Sequence, residues 1–135
     1  MTDISLIFDI TMGLMDELSN TGAARTDDTK EYEHRTPAIM NILIEDYQTL
    51  TGSEKRWTPV ESFSDGVNVD TGYAVGVMPY GLAANLLVDE NPTAANFYQQ
   101  RYEEMRAQFA RRRPAESSQI YDFYGGIEYG QFGRW

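Results

Sequence analysis

The chain contains no cysteine and a single histidine, His34. Without thiols, neither disulfides nor thiolate metal sites can hold the fold, and a reducing compartment suits it. With one histidine and no cysteine, no histidine-based metal site or nucleophile–base pair can be assembled. Bases are also scarce: residues 1–100 carry five against sixteen acids, and the whole chain has a formal charge of −10. Such a surface repels phosphates, which excludes DNA wrapping. The one long uncharged run, Thr71–Val88, holds three glycines, a proline, two tyrosines and an asparagine in eighteen residues. That composition reads as a buried core segment rather than a membrane span. The first eighteen residues have no basic start, and Asp3, Asp9, Asp16 and Glu17 interrupt the apolar run, so they do not read as a secretory signal.

At 135 residues the chain is long enough for a real core. The spacing predicts a mainly α protein: a four-helix-type bundle over residues 1–113, with a short β or extended segment between the second and third helices, and an extended C-terminal arm over 114–135. The centre of the bundle is Met78–Arg113. Between Ala83 and Val88 every residue but Asn85 is apolar, so this helix should be buried all round. Asn91 followed by Pro92 supplies a cap and a pre-set first helical residue. The next helix shows one stripe, Ala94, Tyr98, Tyr102, Met105 and Phe109.

Upstream, residues 3–18 predict a helix capped by Thr2 or Asp3, with Ile4, Ile7, Phe8, Thr11, Leu14, Met15 and Leu18 on one face. Residues 19–26 read as a loop. Asp28-x-x-Glu31 has the form of a capping box opening a second helix to about Leu50. Its inward face would be Tyr32, Arg35, Thr36, Ile39, Ile42, Leu43, Asp46, Tyr47 and Leu50. Pro37 predicts a kink or break, or a helix that starts only there with Thr36 as its cap. Residues 51–70 are turn-like, with a short alternating run at Asp65–Val69 and no second strand to pair it. Trp57 and Phe63 are expected to fold back over one end of the helices, and Tyr73–Val77 to form a preliminary helical turn.

From Pro114 the regular pattern stops. Residues 114–135 hold four glycines, yet six of the chain's seventeen aromatic residues. A disordered tail is normally poor in aromatics. Fully extended, the segment spans about 70 Å at roughly 3.3 Å per residue. Aromatic side chains carry much of the energy of protein interfaces, and glycine lets a backbone lie flat in a groove. The candidate interaction residues are therefore Ile120, Tyr121, Phe123, Tyr124, Gly125, Gly126, Ile127, Tyr129, Phe132, Arg134 and Trp135. Packing of the segment over its own helices is the competing reading.

The chemistry search is otherwise negative, and neither enzyme activity nor a cofactor or metal is expected. His34 reads as a solvated surface residue. Asp65, Asn68 and Asp70 only superficially resemble a calcium loop, because the glycine is misplaced. Gly125, Gly126, Gly130 and Gly133 lack the lysine and the strand-to-helix context of a phosphate loop. Arg111, Arg112 and Arg113 end a helix, where cations complement the macrodipole. That reading is favoured over a nucleic-acid contact.

Three segments carry a resemblance: DTKEYEHRTPAIMNIL at 28–43, VMPYGLAANLLVDENPTAANFYQQRYEE at 77–104, and IYDFYGGIEYGQFGRW at 120–135. Their order resembles the small head–tail connector (adaptor) proteins of tailed bacteriophages and prophages. The resemblance covers about two-thirds of the chain, its middle block is the most specific part, and residues 51–65 add nothing to it. It implies a helical bundle assembled as a homo-oligomeric ring, typically dodecameric, in the neck of a virion made in a bacterial cytoplasm. Such a ring docks beneath the portal, meets the next neck or tail protein, and continues the DNA channel without sequence-specific binding or any membrane. The terminal arm would clasp the portal or a neighbouring subunit. A negatively charged lumen would let DNA pass without adhering, and Asp27, Asp28, Glu31 and Glu33 are the candidates to line it. A small acidic binding module, mimicking DNA to block a nucleic-acid enzyme, is the alternative from another class.

Overall fold

A computed structural model describes residues 1–16, 22–52 and 56–112. Its elements in chain order are strand β1 (Thr2–Asp3), helix α1 (Ile4–Leu14), one 3-10 turn (Asp27–Thr29), helix α2 (Lys30–Thr51), strand β2 (Gly66–Val67), and helices α3 (Thr71–Gly76), α4 (Met78–Leu87) and α5 (Pro92–Arg111). The chain is thus mainly α, with the expected extended segment between α2 and the later helices.

Helix α4 is the centre, touching α1, α2, α3 and α5. Met78, Leu82, Ala83 and Leu86 are fully buried, and each large apolar side chain among them contributes about 1.5–3 kcal/mol by leaving water. The burial ends sooner than the apolar run does: Val88 lies beyond the last helical residue and is 53 % exposed. Helix α5 begins as its sequence predicts, with Asn91 Oδ1 accepting from the Ala94 N–H at 3.2 Å and Pro92 in the first turn. Its stripe faces inward through Tyr102, which is buried, with Met105 and Phe109 packed against the core.

Where α4 and α5 meet, Gly81 is required by close approach. A Cβ there would lie 2.8 Å from Leu43 Cδ2 and 2.9 Å from Tyr102 Cε1. The absent side chain lets α2 and α5 both press on α4.

Helix α2 departs from expectation at its start and its face. Thr29, not Asp28, organises the entry. Its hydroxyl accepts from the Thr26 N–H at 3.0 Å and donates to the Ala24 carbonyl at 2.9 Å, and the helix opens only at Lys30. Pro37 does not break it; the helix is continuous from Lys30 to Thr51. Thr36 is an interior residue whose hydroxyl bonds the Tyr32 carbonyl at 2.7 Å. Contacts to α4 and its corner are made on both sides of the proline, by Tyr32 and Arg35 before it and Leu43 after it, and this packing outweighs the lost backbone bond. The expected Tyr32, Thr36 and Leu43 are buried and Ile39, Tyr47 and Leu50 pack against the core, but the face also takes in Met40 and Ile44, and Ile42 is 58 % exposed. Gly52, at φ 66°, closes the helix in the left-handed conformation that glycine adopts without strain.

Helix α1 buries Ile4, Ile7, Phe8, Thr11 and Met12. It ends at Leu14, short of the expected Leu18, and Asp16 takes a positive φ of 60°; Leu18 itself lies outside the described residues. Asp3 stands at the N-cap without a side-chain cap bond. Its role is taken by the strand, for β1 pairs antiparallel with β2, Thr2 opposite Val67 and Asp3 opposite Gly66. The alternating run at 65–69 therefore has a partner after all, supplied by the first residues of the chain. Trp57 and Phe63 do fold back. The Phe63 ring meets Phe8 edge-on at 5.1 Å, and Trp57 Nε1 donates to Glu45 Oε1 at 3.3 Å. Asn41 on α2 anchors the same stretch by two hydrogen bonds, its Oδ1 accepting from the Val60 N–H at 2.8 Å and its Nδ2 donating to the Val60 carbonyl at 3.1 Å. Asp65 holds the next turn by accepting from the Glu61 and Ser62 N–H groups, which keeps its carboxyl below the usual range.

Candidate functional site

The predicted interaction residues from Ile120 to Trp135 lie outside the described residues, as does Arg113. Arg111 and Arg112 are exposed at the end of α5. Asp27 and Asp28 are exposed in the 3-10 turn, Glu31 is exposed on the first turn of α2, and Glu33 is half-buried. Of these acids Glu31 stands 3.8 Å from Arg35. Sequence reasoning missed that the α4–α5 corner joins this group. Tyr32 donates its hydroxyl to Glu90, which brings exposed Asp89 and Glu90 beside the start of α2. Arg35 is drawn the other way, donating to the Asn85 and Leu86 carbonyls at 3.1 and 3.2 Å. A cation at the carboxyl end of α4 satisfies carbonyls that the helix itself cannot.

Asp27, Asp28, Glu31, Asp89 and Glu90 lie at one end of α2, with Arg35 among them, and Arg106, Arg111 and Arg112 of α5 lie toward the other. The arginine-bearing end of α5 packs near Asp46 and Tyr47, since Arg106 reaches the Asp46 carbonyl and the Phe109 ring lies tilted against that of Tyr47 at 6.1 Å. Tyr32 and Tyr47 are separated by about 22 Å at 1.5 Å per residue.

At the arginine end a buried polar cluster underlies a groove. Tyr102 donates to Asp46 Oδ2 at 2.9 Å, the Arg106 guanidinium lies over the Tyr102 ring at 5.5 Å, and fully buried Tyr73 turns its hydroxyl toward both. Burial, then the neighbouring Tyr73 and Asp46, push the Tyr102 phenol far above its ordinary range. Burial likewise raises Tyr73, against the pull of Arg106. Both phenols are therefore neutral at physiological pH; Tyr102 donates to Asp46, while the buried Tyr73 hydroxyl has no hydrogen-bond partner among the described residues. The groove above them measures about 450 Å³. Tyr47, Met105 and Phe109 supply apolar surface, Gly72 and Gly76 of α3 a wall without side chains, and Asp70 and Arg112 charges of opposite sign. Its residues come from three elements far apart in sequence. The sequence marks Phe109 and Met105 in the α5 stripe, Tyr47 on the inward face of α2 and Arg112 at a helix end, but nothing local brings them together.

Asp46 and Tyr102 are engaged with each other, His34 is exposed on α2, and among the described residues no group of three or more acids and histidines could hold a metal ion. Among the described residues no helix is long and apolar enough to cross a membrane. No known protein family, curated protein or solved structure matches the chain.

Proposed function

We propose that the chain is a structural protein of a tailed-phage neck: a head–tail connector that forms a ring beneath the portal and continues the DNA channel. In this reading residues 114–135 dock on the portal or on a neighbouring subunit. The observation that carries it is the block 77–104, the most specific part of the resemblance. It makes up α4, the Asn91–Pro92 corner and most of α5, the helices around which the bundle packs. The acidic pole at Asp27, Asp28, Glu31, Asp89 and Glu90, where acids outnumber the cations Lys30 and Arg35, adds support, because a net negative surface lets DNA pass without adhering.

Mass photometry of the purified protein mixed with its portal tests the reading. A ring-sized complex is expected, and failure to form any higher-order species overturns it. The same acidic pole favours a second reading, an acidic module that occupies the DNA site of a nucleic-acid enzyme. That protein would stay monomeric or dimeric with portal and would inhibit such an enzyme stoichiometrically.

A further inference from the structure

We propose that the groove between α2, α3 and α5 is a docking site for an aromatic peptide, and that its occupant in the free protein is this chain's own Ile120–Tyr124. The groove lies at the root of the segment: Arg112, on its rim, is followed at once by residues 113–135. Its volume of about 450 Å³ lies within the ~300–1,000 Å³ of clefts that bury a compact ligand. The chemistry of the two sides matches. Tyr47, Met105 and Phe109 offer ring and thioether surface, and IYDFY offers an isoleucine and three rings. Arg112 makes no ion pair among the described residues, and Asp122 sits between Tyr121 and Phe123. The glycine wall leaves room for a ring: a Cβ added at Gly76 would meet nothing within 4 Å.

Tethering decides between the chain's own segment and that of a second copy. Seven residues, 113–119, link the rim to the segment, a reach of about 23 Å at roughly 3.3 Å per residue. A link of that size gives an effective concentration in the millimolar range. At micromolar protein the chain's own segment therefore wins. Docking in cis would keep the aromatic segment covered until a partner surface competes for it; that role rests on the neck reading, whereas the docking itself does not.

The test uses the full chain with photoreactive p-benzoylphenylalanine at Gly76, irradiated as an equal mixture of 14N- and 15N-labelled protein. Cross-links to residues 120–124 within copies of one isotope are expected. Cross-links that join the two isotopes would assign the groove to a second copy, and cross-links only to other regions would remove the segment from it; either overturns the proposal. The same label at Gln108, which lines the groove from α5, guards against a folding defect at Gly76 and should give the same pattern. Arg112→Glu should lower the yield about threefold, the size expected of one exposed ion pair, with recovery when Asp122→Arg is added. An unchanged yield in Arg112→Glu would remove the charge match. Loss of portal binding with intact cross-links sinks the neck reading alone; absent cross-links with intact portal binding sink the latch alone.

Discussion

The Tyr102 hydroxyl shows how one polar atom can be both buried and necessary. Its bond to Asp46 ties α5 to α2, and burial holds the phenol neutral well above its ordinary value of 10.0. A phenol raised in the folded state contributes stability that is fully present below its unfolded value and lost as pH rises above it. The melting temperature should therefore hold level from neutrality to about pH 9.5 and fall above about pH 10. Tyr102→Phe should cost about 1 kcal/mol at pH 7 for the lost hydrogen bond and make the alkaline fall shallower. Tyr73, also raised by burial, should keep part of the fall in that variant. Urea titrations of both proteins at pH 7 and 10.5 check this, and parallel pH curves would show that Tyr102 is not the group responsible. Gly81 is a second decisive residue. Gly81→Ala gains about 1 kcal/mol of helix propensity, but the new methyl would have to displace Leu43 and Tyr102, both buried. Overpacking of that kind costs about 1–3 kcal/mol, so the net result should be destabilisation, measured as a lower urea midpoint with an unchanged slope.

Among the elements, α4 holds the others because it is apolar on nearly every side and small at the point of closest approach. Leu86, fully buried, tests this. Leu86→Asp would place an unpaired carboxylate among apolar side chains, a cost of several kcal/mol, enough to unfold a domain of this size. Far-UV circular dichroism at 25 °C should show loss of the helical signal, and near-native melting would show that another helix is central. Much of α4 and α5 was legible in the sequence. An apolar run, an Asn–Pro corner and a four-four-three-four stripe are local signals, and the helices formed where those signals lie. Helix α2 was less legible. Its length was readable, but Thr29 rather than Asp28 organises its start, and its covered face takes in Met40 and Ile44 beside Ile39 while leaving Ile42 exposed. Several residues on adjacent faces of α2 are apolar, so periodicity left the rotation of the helix open until α4 and the Val60 loop took their places against it.

For the molecule as a whole, the claim at stake is that residues 114–135 are an appendage to a bundle that folds without them. Removing residues 115–135 should leave helical content and the thermal transition largely intact while abolishing docking on the portal. Circular dichroism, a thermal melt and mass photometry of the truncated protein provide the check; an unfolded truncation would place the segment in the core instead. The distribution of charge also belongs to this scale. The acids of the 3-10 turn and the first turn of α2, joined by Asp89 and Glu90, stand at one end of α2, and Arg111 and Arg112 at the other. The sequence contains each group, but that Glu90 meets Tyr32 depends on the α4–α5 corner folding back on to α2.

Sequence alone determined the mainly helical class, the buried α4, the capped corner and the concentration of aromatics beyond Pro114, since each is written in residues within a few turns of one another. Tertiary structure decided which side of α2 is covered, how the first residues find Gly66–Val67 as a strand partner, and that Arg35 caps the carboxyl end of α4. It also built the groove, from residues as distant as Tyr47 and Arg112. Those features depend on partners tens of residues away, and no local periodicity or propensity carries that information.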